Sequence, residues 1–374
     1  MASSTHNREN IFHTVTSAPP PTPSTTTITT SDSNSIDLLS RLLHRLPPNL
    51  ANTPTLLRRR SSLSTPTTTS PLLIPYTNLD TSLPSAFKLG FFQLIDHPIP
   101  SKLAHLAKID SQAILNISQH QKQQHFPRNW PLGFENDIED DNKSLFLDSS
   151  CSTNGSLDFS INSLREFTKE MEKVGLYVME AITCALRLHN PTLDDPSNVC
   201  SLMWVSDGSG QPVEKMIGSG QIYPYVIGLH YQFASEKCSL LSDSGWVSVQ
   251  SQKDSILVTL GDIAQVWSNG KLKKIRGNPT LNIEEEAKDK TTLSMSLLVT
   301  LPLENTVSTL PSRAVSNDGD TDHHNDKHDQ DEFDKSKEEV LFDSFSFEDY
   351  AWRVYHERVP LKDPLDRYRT SKNL

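Results

Sequence analysis

The sequence is short of apolar residues, of cysteine and of long hydrophobic runs, and each shortage excludes a class of protein. The hydrophobic set makes up 35% of 374 residues, with 14 Gly in addition, whereas a typical globular chain has about 45–50% apolar residues with Gly included. Part of the chain is therefore predicted to stay outside a folded core. No apolar run approaches the ~18–20 residues of a membrane helix.

The few cysteines point to the compartment. Four are present, and none belongs to a CxxC pair: Cys151, Cys184, Cys200 and Cys238. Their wide spacing argues against a disulfide scaffold or a zinc cage and is typical of a reduced intracellular protein. We therefore expect a cytoplasmic protein.

Charge is plentiful but unevenly distributed around a net value of −11. Residues 1–72 carry six Arg against three acids, whereas residues 313–339 carry ten acids and four bases. This balance argues against a nucleic-acid binder that works by bulk charge. We expect no nucleic-acid partner and no membrane partner, and a monomer that binds an unidentified small molecule or protein.

Two segments have the composition of disordered chain. Residues 14–33 contain twelve Ser/Thr and four Pro, too polar to offset the entropy of ordering. We therefore predict a disordered arm over 1–71, with one short amphipathic helix at 36–46 that docks on its own domain or on a partner. The alternative for this Arg-containing, Ser-rich start is a chloroplast transit peptide. The acidic stretch 304–340 is predicted as a second disordered insertion.

The remaining residues change from a helical to a strand pattern along the chain. Buried-strand patterns at 72–75 and 89–95 precede helical patterns over 102–119 and 164–186, the latter behind a capping box at Ser163–Glu166. After about residue 199 the pattern is that of strands, and a last helix follows Ser346. The predicted strands of this later part are 246–249, 255–260 and 293–300.

This order of elements predicts an α+β fold with a sandwich or jelly-roll core. We divide it into an α/β region at 72–198, a core at 199–303 and a C-terminal helix and tail at 341–374. Within the core, Asn269-Gly270 is a strong signal for a β-hairpin.

Two segments resemble a known family. Gly90 to Pro100 reads GFFQLIDHPIP, and Leu260 to Gly270 reads LGDIAQVWSNG. Both are similar to motifs of the plant 2-oxoglutarate/Fe(II)-dependent dioxygenases, which include aminocyclopropane-carboxylate oxidase-like and isopenicillin N synthase-like enzymes. The matches span about residues 72–303. The resemblance implies a double-stranded β-helix, a distorted jelly roll, behind a helical N-terminal region.

The resemblance also implies where the site residues lie. In that family the two His and the carboxylate of HxD…H hold Fe(II), and the Arg of RxS pairs with the far carboxylate of 2-oxoglutarate. Here Gly277 stands at the position of the second His. Thr292 and Ser294 stand at the RxS positions, so the Ser is kept and the Arg is lost. The resemblance thus implies a divergent member that lacks those residues.

The HxD motif itself has two possible alignments. Counting along the chain places it near Gln221-Ile222-Tyr223, which contains neither His nor acid. His230, followed by Tyr231 and Gln232, is the alternative, in which one ligand of three survives; it also fits an ordinary strand histidine. Neither alignment supplies two His and one carboxylate.

These losses favour a non-catalytic binding or regulatory module that needs no cofactor. One alternative is an active oxidoreductase that uses Fe(II) and 2-oxoglutarate on a small plant metabolite through rearranged ligands such as His230. The other is an interaction protein that acts through its disordered arms.

Charged residues near the second motif are predicted to be structural. The basic residues Lys271, Lys273, Lys274 and Arg276 are predicted to form an exposed, solvated turn. The alternative is that Arg276, next to the lost His, or Lys290, two residues before Thr292, holds an anion. Asp262 follows Gly261 in a turn context, where Asp is common for backbone reasons.

Overall fold

The structure is a computed structural model, and it describes residues 67–126, 129–135, 144–208, 222–281, 292–313, 339–357 and 363–370. The predicted helix at 36–46 lies outside these residues, as does the acidic insertion apart from 304–313 and 339–340. Residues 304–313 include a short strand. No helix among the described residues is long and apolar enough to cross a membrane.

Helices occupy the N-terminal half and the C-terminal end of the described chain, with one short helix between them. They are α1 (Leu79–Ala86), α2 (Ser101–Leu115), α3 (Gln119–His125), α4 (Asn162–Ala185), α5 (Asp262–Trp267) and α6 (Phe347–Glu357).

The strands are distributed along the whole described chain. They are β1 (Thr67–Thr69), β2 (Leu73–Pro75), β3 (Phe91–Ile95), β4 (Gly133–Glu135), β5 (Ser144–Asp148), β6 (Cys200–Gly208), β7 (Ile227–Gln232), β8 (Lys237–Ser242), β9 (Gly245–Gln250), β10 (Ser255–Leu260), β11 (Ile275–Leu281), β12 (Thr292–Thr300), β13 (Thr306–Val307) and β14 (Phe345–Ser346).

Two sheets form the jelly-roll core. The large sheet has eight strands in the order β2-β3-β10-β7-β12-β6-β5-β4, the small sheet has four in the order β1-β9-β8-β11, and β13 pairs with β14. The strands of the predicted 72–198 region thus share one sheet with the predicted core. The space between the sheets holds a compact apolar cluster drawn from both: Phe91, Cys238, Leu240, Val249, Leu257 and Ile275. The expected α+β class with a jelly-roll core is confirmed.

Alternation along β12 separates the inner from the outer face of the large sheet. Met295 faces outward, where its sulfur lies 3.7 Å from Ser111 Oγ on α2. Ser296 faces inward, where its hydroxyl meets an imidazole from β7. This period of two is what a strand with different environments on its faces requires.

The long helix α4 lies close against the outer face because Gly175 has no side chain. A Cβ at this position would lie 2.8 Å from Val299 Cγ2 and 3.0 Å from Leu229 Cδ1. The first distance is shorter than packed carbon atoms allow, and the second is tighter than most of their contacts. The glycine is therefore required by the contact between helix and sheet.

The N-terminus of α4 is not held by the predicted capping box. The helix begins at Asn162, so Ser163 lies inside its first turn and cannot cap it. Instead the backbone N–H of Leu164 donates to Asp110 Oδ2 on α2, at 3.0 Å. A carboxylate from a neighbouring helix thus satisfies one of the free N–H groups at the start of α4.

The predicted hairpin at Asn269-Gly270 is also wrong. These residues end α5, and both have left-handed backbone conformations, with φ of 50° and 78°. The N–H of Gly270 donates to Gln265 O at 2.8 Å. Asn and Gly favour this conformation wherever the chain needs it, at the end of a helix as well as in a hairpin.

The C-terminal helix α6 lies where the sequence predicts a last helix. The N–H of Asp349 donates to Ser346 Oγ at 3.3 Å, which caps the first turn. Residues 339–357 and 363–370 together form what we call the C-terminal module. It packs at the end of the jelly roll near α5 and β11.

Candidate functional site

The position expected for the second iron ligand lies on β11, opposite the expected HxD segment. Gly277 is buried with φ of 69°, at a break in the pairing of β11 with β8. A Cβ built on it would lie 3.5 Å from Ile222 Cγ1, and that is its one contact within 4 Å among the described residues. The fold thus brings Gly277 and Ile222 together, as a shared metal site would need, but neither has a metal-binding side chain.

The backbone at Gly277 is held by Tyr225. The Tyr225 hydroxyl donates to the carbonyl oxygens of Ile275, at 3.1 Å, and of Gly277, at 3.2 Å. Burial raises the pKa of this phenol well above its usual value, so it stays protonated and can donate. The side chain therefore fixes the irregular part of β11 in its left-handed conformation.

His230 lies on β7 with both ring nitrogens engaged. Nδ1 is 2.8 Å from Ser296 Oγ and Nε2 is 3.0 Å from Thr259 Oγ1. Burial lowers the pKa of His230 to about 3, so the imidazole is neutral at pH 7. A neutral imidazole has one donor and one acceptor, and hydroxyl groups can match either tautomer. No ring nitrogen remains for a metal ion.

A chain of hydrogen bonds links His230 to the expected ligand position. Thr259 Oγ1 is 3.0 Å from the Tyr225 hydroxyl, which in turn bonds to Gly277 O. His230 is therefore separated from Gly277 by two intervening side chains and does not stand beside it. This geometry corresponds to a strand histidine within the core.

Sequence reasoning missed the glycine that makes room for this imidazole. A Cβ on Gly228 would lie 2.7 Å from Thr259 Oγ1 and 2.9 Å from His230 Nε2. The two residues are two apart on β7, so they share the inner face. A glycine two residues before a buried strand His was the only available signal.

The RxS positions fall at the start of β12. Thr292 begins this strand and pairs with Gly208, while Ser294 pairs with Ser206 on β6. Ser294 and Ser206 are half-buried, and Ser294 shares the inner face with Ser296. Ser294 therefore lies in line with Ser296, the partner of His230, on the inner face of β12. These serines supply hydroxyl groups in the part of the strand where the family has an Arg.

The described residues around Gly277 do not fit iron or 2-oxoglutarate. Across the described ranges, no group of three or more His, Cys, Asp or Glu could hold a metal ion. Gly277 and Ile222 offer no side-chain donor atom, and Fe(II) sites of this kind need imidazole and carboxylate ligands. A Thr hydroxyl at 292 cannot form the charged fork that an Arg forms with a carboxylate.

Aromatic side chains surround the end of the jelly roll beside Ile222. Tyr223 is buried, and its ring lies 5.9 Å from Trp130, 6.1 Å from Phe146 and 6.2 Å from Phe347, measured between centroids. Phe347 belongs to α6, so the C-terminal module forms one side of this aromatic wall.

Lys274 contradicts the prediction of an exposed basic turn. Its side chain is completely buried; Nζ lies 3.0 Å from Asp262 Oδ1 and forms an ion pair with Asp363. The Tyr350 hydroxyl donates to Asp262 Oδ2 at 2.7 Å. Asp262 therefore serves an ionic cluster and not only a turn. Burial opposes the charge on Asp363, but Lys274 outweighs it and holds the pKa of this carboxyl below its usual value.

No local pattern could have revealed this cluster. Lys274 and Asp363 are 89 residues apart in the sequence. The sequence around Lys274 has the same pattern of basic residues whether Lys274 is buried or exposed to solvent. Only the position of the C-terminal module decides between the two.

Comparisons with solved structures identify the fold. JOX2, solved in complex with 2OG, Fe and JA, aligns with a TM-score of 0.60 at 15% identity, over 82% of this chain and 90% of its own. The dioxygenase for auxin oxidation in rice aligns at 0.56 and 15%, over 80% and 99%. A full-length protein of Neurospora crassa, solved in complex with alpha-KG and 5-formyluracil, aligns at 0.55 and 14%, over 76% and 95%.

These likenesses give the chain the fold of the 2-oxoglutarate/Fe(II) oxygenases. They confirm the expected fold. No family profile and no curated protein matches the sequence.

Proposed function

We propose that this protein is a non-catalytic binding or regulatory module built on the 2-oxoglutarate/Fe(II) oxygenase fold. The observation that supports this most directly is Gly277, which stands where the second His is expected and has a left-handed backbone. Thr292 at the expected Arg position supports it independently, because the two positions serve different partners.

The geometry around Gly277 indicates that the site lacks more than one metal-binding side chain. Tyr225 bonds to the carbonyl oxygens on both sides of Arg276, and a left-handed conformation disfavours any residue with a Cβ. A His at 277 would therefore carry a backbone penalty of about 1–2 kcal/mol. Ile222 on the opposite side adds no carboxylate.

The proposal is tested by anaerobic addition of Fe(II) and 2-oxoglutarate to the purified protein. We expect no metal-to-ligand absorption band and no retention of iron on dialysis. A catalytic oxygenase of the same fold serves as the positive control. A band at one equivalent of Fe(II) would overturn the proposal.

A second arm tests rearranged ligands. An active oxygenase would convert 2-oxoglutarate to succinate in the presence of oxygen, and His230→Gln would abolish the conversion. We expect the wild type and His230→Gln to give the same background as a sample without protein. Succinate formation that depends on His230 would show that its ring leaves Ser296 and Thr259 to bind iron.

A third arm asks whether the lost residues can be restored. We expect Gly277→His with Thr292→Arg to gain neither iron nor 2-oxoglutarate binding, because the backbone and Ile222 remain unsuitable. Binding by this double variant would show that two side chains are all that the site lacks.

We further propose that the whole protein is a cytoplasmic monomer that binds a small molecule or a protein, and that it binds neither nucleic acid nor a membrane. Light scattering of the purified chain and the location of a fluorescent fusion test these points. Import into chloroplasts with loss of the N-terminal arm would favour the transit-peptide alternative.

A further inference from the structure

The inner face of the large sheet carries a line of serines across three neighbouring strands. Ser144 on β5 pairs with Ser206 on β6, and Ser206 pairs with Ser294 on β12. Paired residues of adjacent strands lie on the same face of a sheet. These three residues, which we call the serine row, therefore lie side by side on the inner face, at the start of β12.

Uncharged polar residues continue this line on the next two strands. Ser296 pairs with His230, so Gln232, two residues after His230, lies level with Ser294 on the same face. Gln232 in turn pairs with Ser255 on β10. From β5 to β10 the line contains serine and glutamine, with no Lys or Arg at these positions.

The serine row lies in a part of the interior that is open at one end. The apolar cluster between the two sheets takes its large-sheet members, Phe91 and Leu257, from β3 and β10. On β12, Ser296 is only 2% exposed, whereas Ser206 and Ser294, one pair further along, are half-buried. A small molecule can therefore reach these two hydroxyl groups from the end where β6 finishes and β12 begins.

Charged residues near the serine row do not supply a partner for an anion. Arg276 pairs with Leu241, whereas its neighbour Ile275 belongs to the apolar cluster between the sheets. Alternation therefore places Arg276 on the outer face of the small sheet. Glu135, which pairs with Ser144 from the edge strand β4, is acidic. Lys290, the other candidate for holding an anion, lies outside the described residues.

Hydroxyl groups without a nearby cation favour an uncharged ligand. A serine hydroxyl both donates and accepts hydrogen bonds, so it can bond to the hydroxyl or amide groups of a ligand in either sense. An anion that enters this space loses its hydration and finds no opposite charge to replace it. The serine row therefore selects against a dicarboxylate such as 2-oxoglutarate.

We propose that the serine row is a binding site for a small uncharged molecule that carries hydroxyl or amide groups. This inference rests on the proposed function, because a working iron site would hold the 2-oxoglutarate dianion in the same interior. It adds the chemical class of the ligand that the non-catalytic protein binds.

Probes with the same carbon chain and different charge test this class. Glutaramide is uncharged, glutarate is a dianion and 1,5-diaminopentane is a dication at pH 7. Each is titrated into the full-length protein at one ionic strength with a chelator present, and binding is measured by saturation-transfer NMR. We expect glutaramide to bind at least tenfold more tightly than glutarate or the diamine.

Serine variants test whether the probe binds at the serine row. Ser206→Ala and Ser294→Ala each remove one hydroxyl group, and we expect each to weaken glutaramide binding about fivefold. Ser163→Ala is the matched control, because Ser163 is also half-buried but lies in α4. It should leave the affinity within twofold of the wild type. Circular dichroism establishes that each variant is folded at the temperature of the titration.

Three results would overturn the inference. They are tighter binding of glutarate or the diamine, no binding of glutaramide up to its solubility limit, and equal glutaramide affinity in the wild type and both serine-row variants. These outcomes are distinguishable from failure of the proposed function, because the titrations contain no free metal. A preference for glutarate without an iron absorption band would overturn the class of ligand and leave the non-catalytic function standing.

Discussion

Among the described residues, two buried polar clusters lie close to β11 and differ in kind. Around His230, the partners are hydroxyl groups from neighbouring strands, and the cluster is neutral at pH 7. Around Lys274, the partners are carboxylates from α5 and from a segment 89 residues away. The neutral cluster belongs to the sheets themselves, whereas the ionic one joins separate parts of the chain.

This difference teaches where each kind of polar group is useful. A hydroxyl and a neutral imidazole can be buried between strands at low cost, since each finds a partner in the next strand. A charged group needs an accurately placed opposite charge, and removal of that partner leaves it buried and uncompensated. The ionic cluster should therefore be the more sensitive to mutation, and the neutral one to pH.

The largest effect is expected at Lys274. Lys274→Met leaves Asp262 buried without the cation that faces it, while Asp363 keeps Arg369 at 3.9 Å. Removal of one member of a buried ion pair costs about 3–5 kcal/mol. Urea unfolding at pH 7 measures the free energy of unfolding. Lys273→Met, at the exposed neighbouring position, should change it by less than about 0.5 kcal/mol. Equal effects at the two positions would remove the contrast between the clusters.

Acidification should lower the free energy of unfolding through the neutral cluster, and we expect this effect to be the second largest. An unfolded His titrates near 6.5, whereas the pKa of folded His230 is about 3. The chain takes up a proton on unfolding between these values, so stability is present above 6.5 and is lost as the pH falls towards 3. The loss from this group is about 2 kcal/mol between pH 6.5 and 5.

The contribution of His230 is isolated by a difference between variants. His230→Gln should be less stable than the wild type at pH 7 but should lose less stability on acidification. His120→Gln, at an exposed position on α3, should keep the acid sensitivity of the wild type. If His230→Gln and the wild type lose the same free energy between pH 6.5 and 5, the acid sensitivity belongs to other groups.

The smallest effect is expected at Gly277, between the clusters. Gly277→Ala must place a Cβ on a left-handed backbone, which costs about 1–2 kcal/mol. Gly155→Ala is the matched control, because its φ is 81° and a Cβ there would meet nothing within 4 Å. The 3.5 Å approach to Ile222 is an ordinary contact, so thermal unfolding should give equal losses for both variants. An unaffected Gly277→Ala would show that the left-handed conformation is not required there.

Local patterns located the strands β2, β3, β9, β10 and β12 and the helices α2, α4 and α6. The predicted strand at 255–260 is β10 residue for residue, because an apolar run between Asp254 and Gly261 has clear ends. The final helix begins after Ser346, whose side chain caps its first turn. Local signals were not enough where one signal serves two structures, as at Asn269-Gly270, which ends a helix where a hairpin was predicted.

In the candidate site, too, some features could be predicted from the sequence and others could not. The motif positions Gly277 and Ile222 face each other in the structure, so their spacing in the sequence carried true information about the fold. The buried state of Lys274 could not be predicted, because it depends on Asp363 and Tyr350 in a module that packs from the far end of the chain. The position of a residue within its own strand can be predicted from the local sequence. The burial of a charged residue cannot, when its partner lies far away in the sequence.

Gly175 sets the spacing between two layers of the molecule. α4 rests on β7 and β12 at this residue, which has no side chain. A methyl group here would require Val299 and Leu229 to shift, or the helix to move away from the sheet.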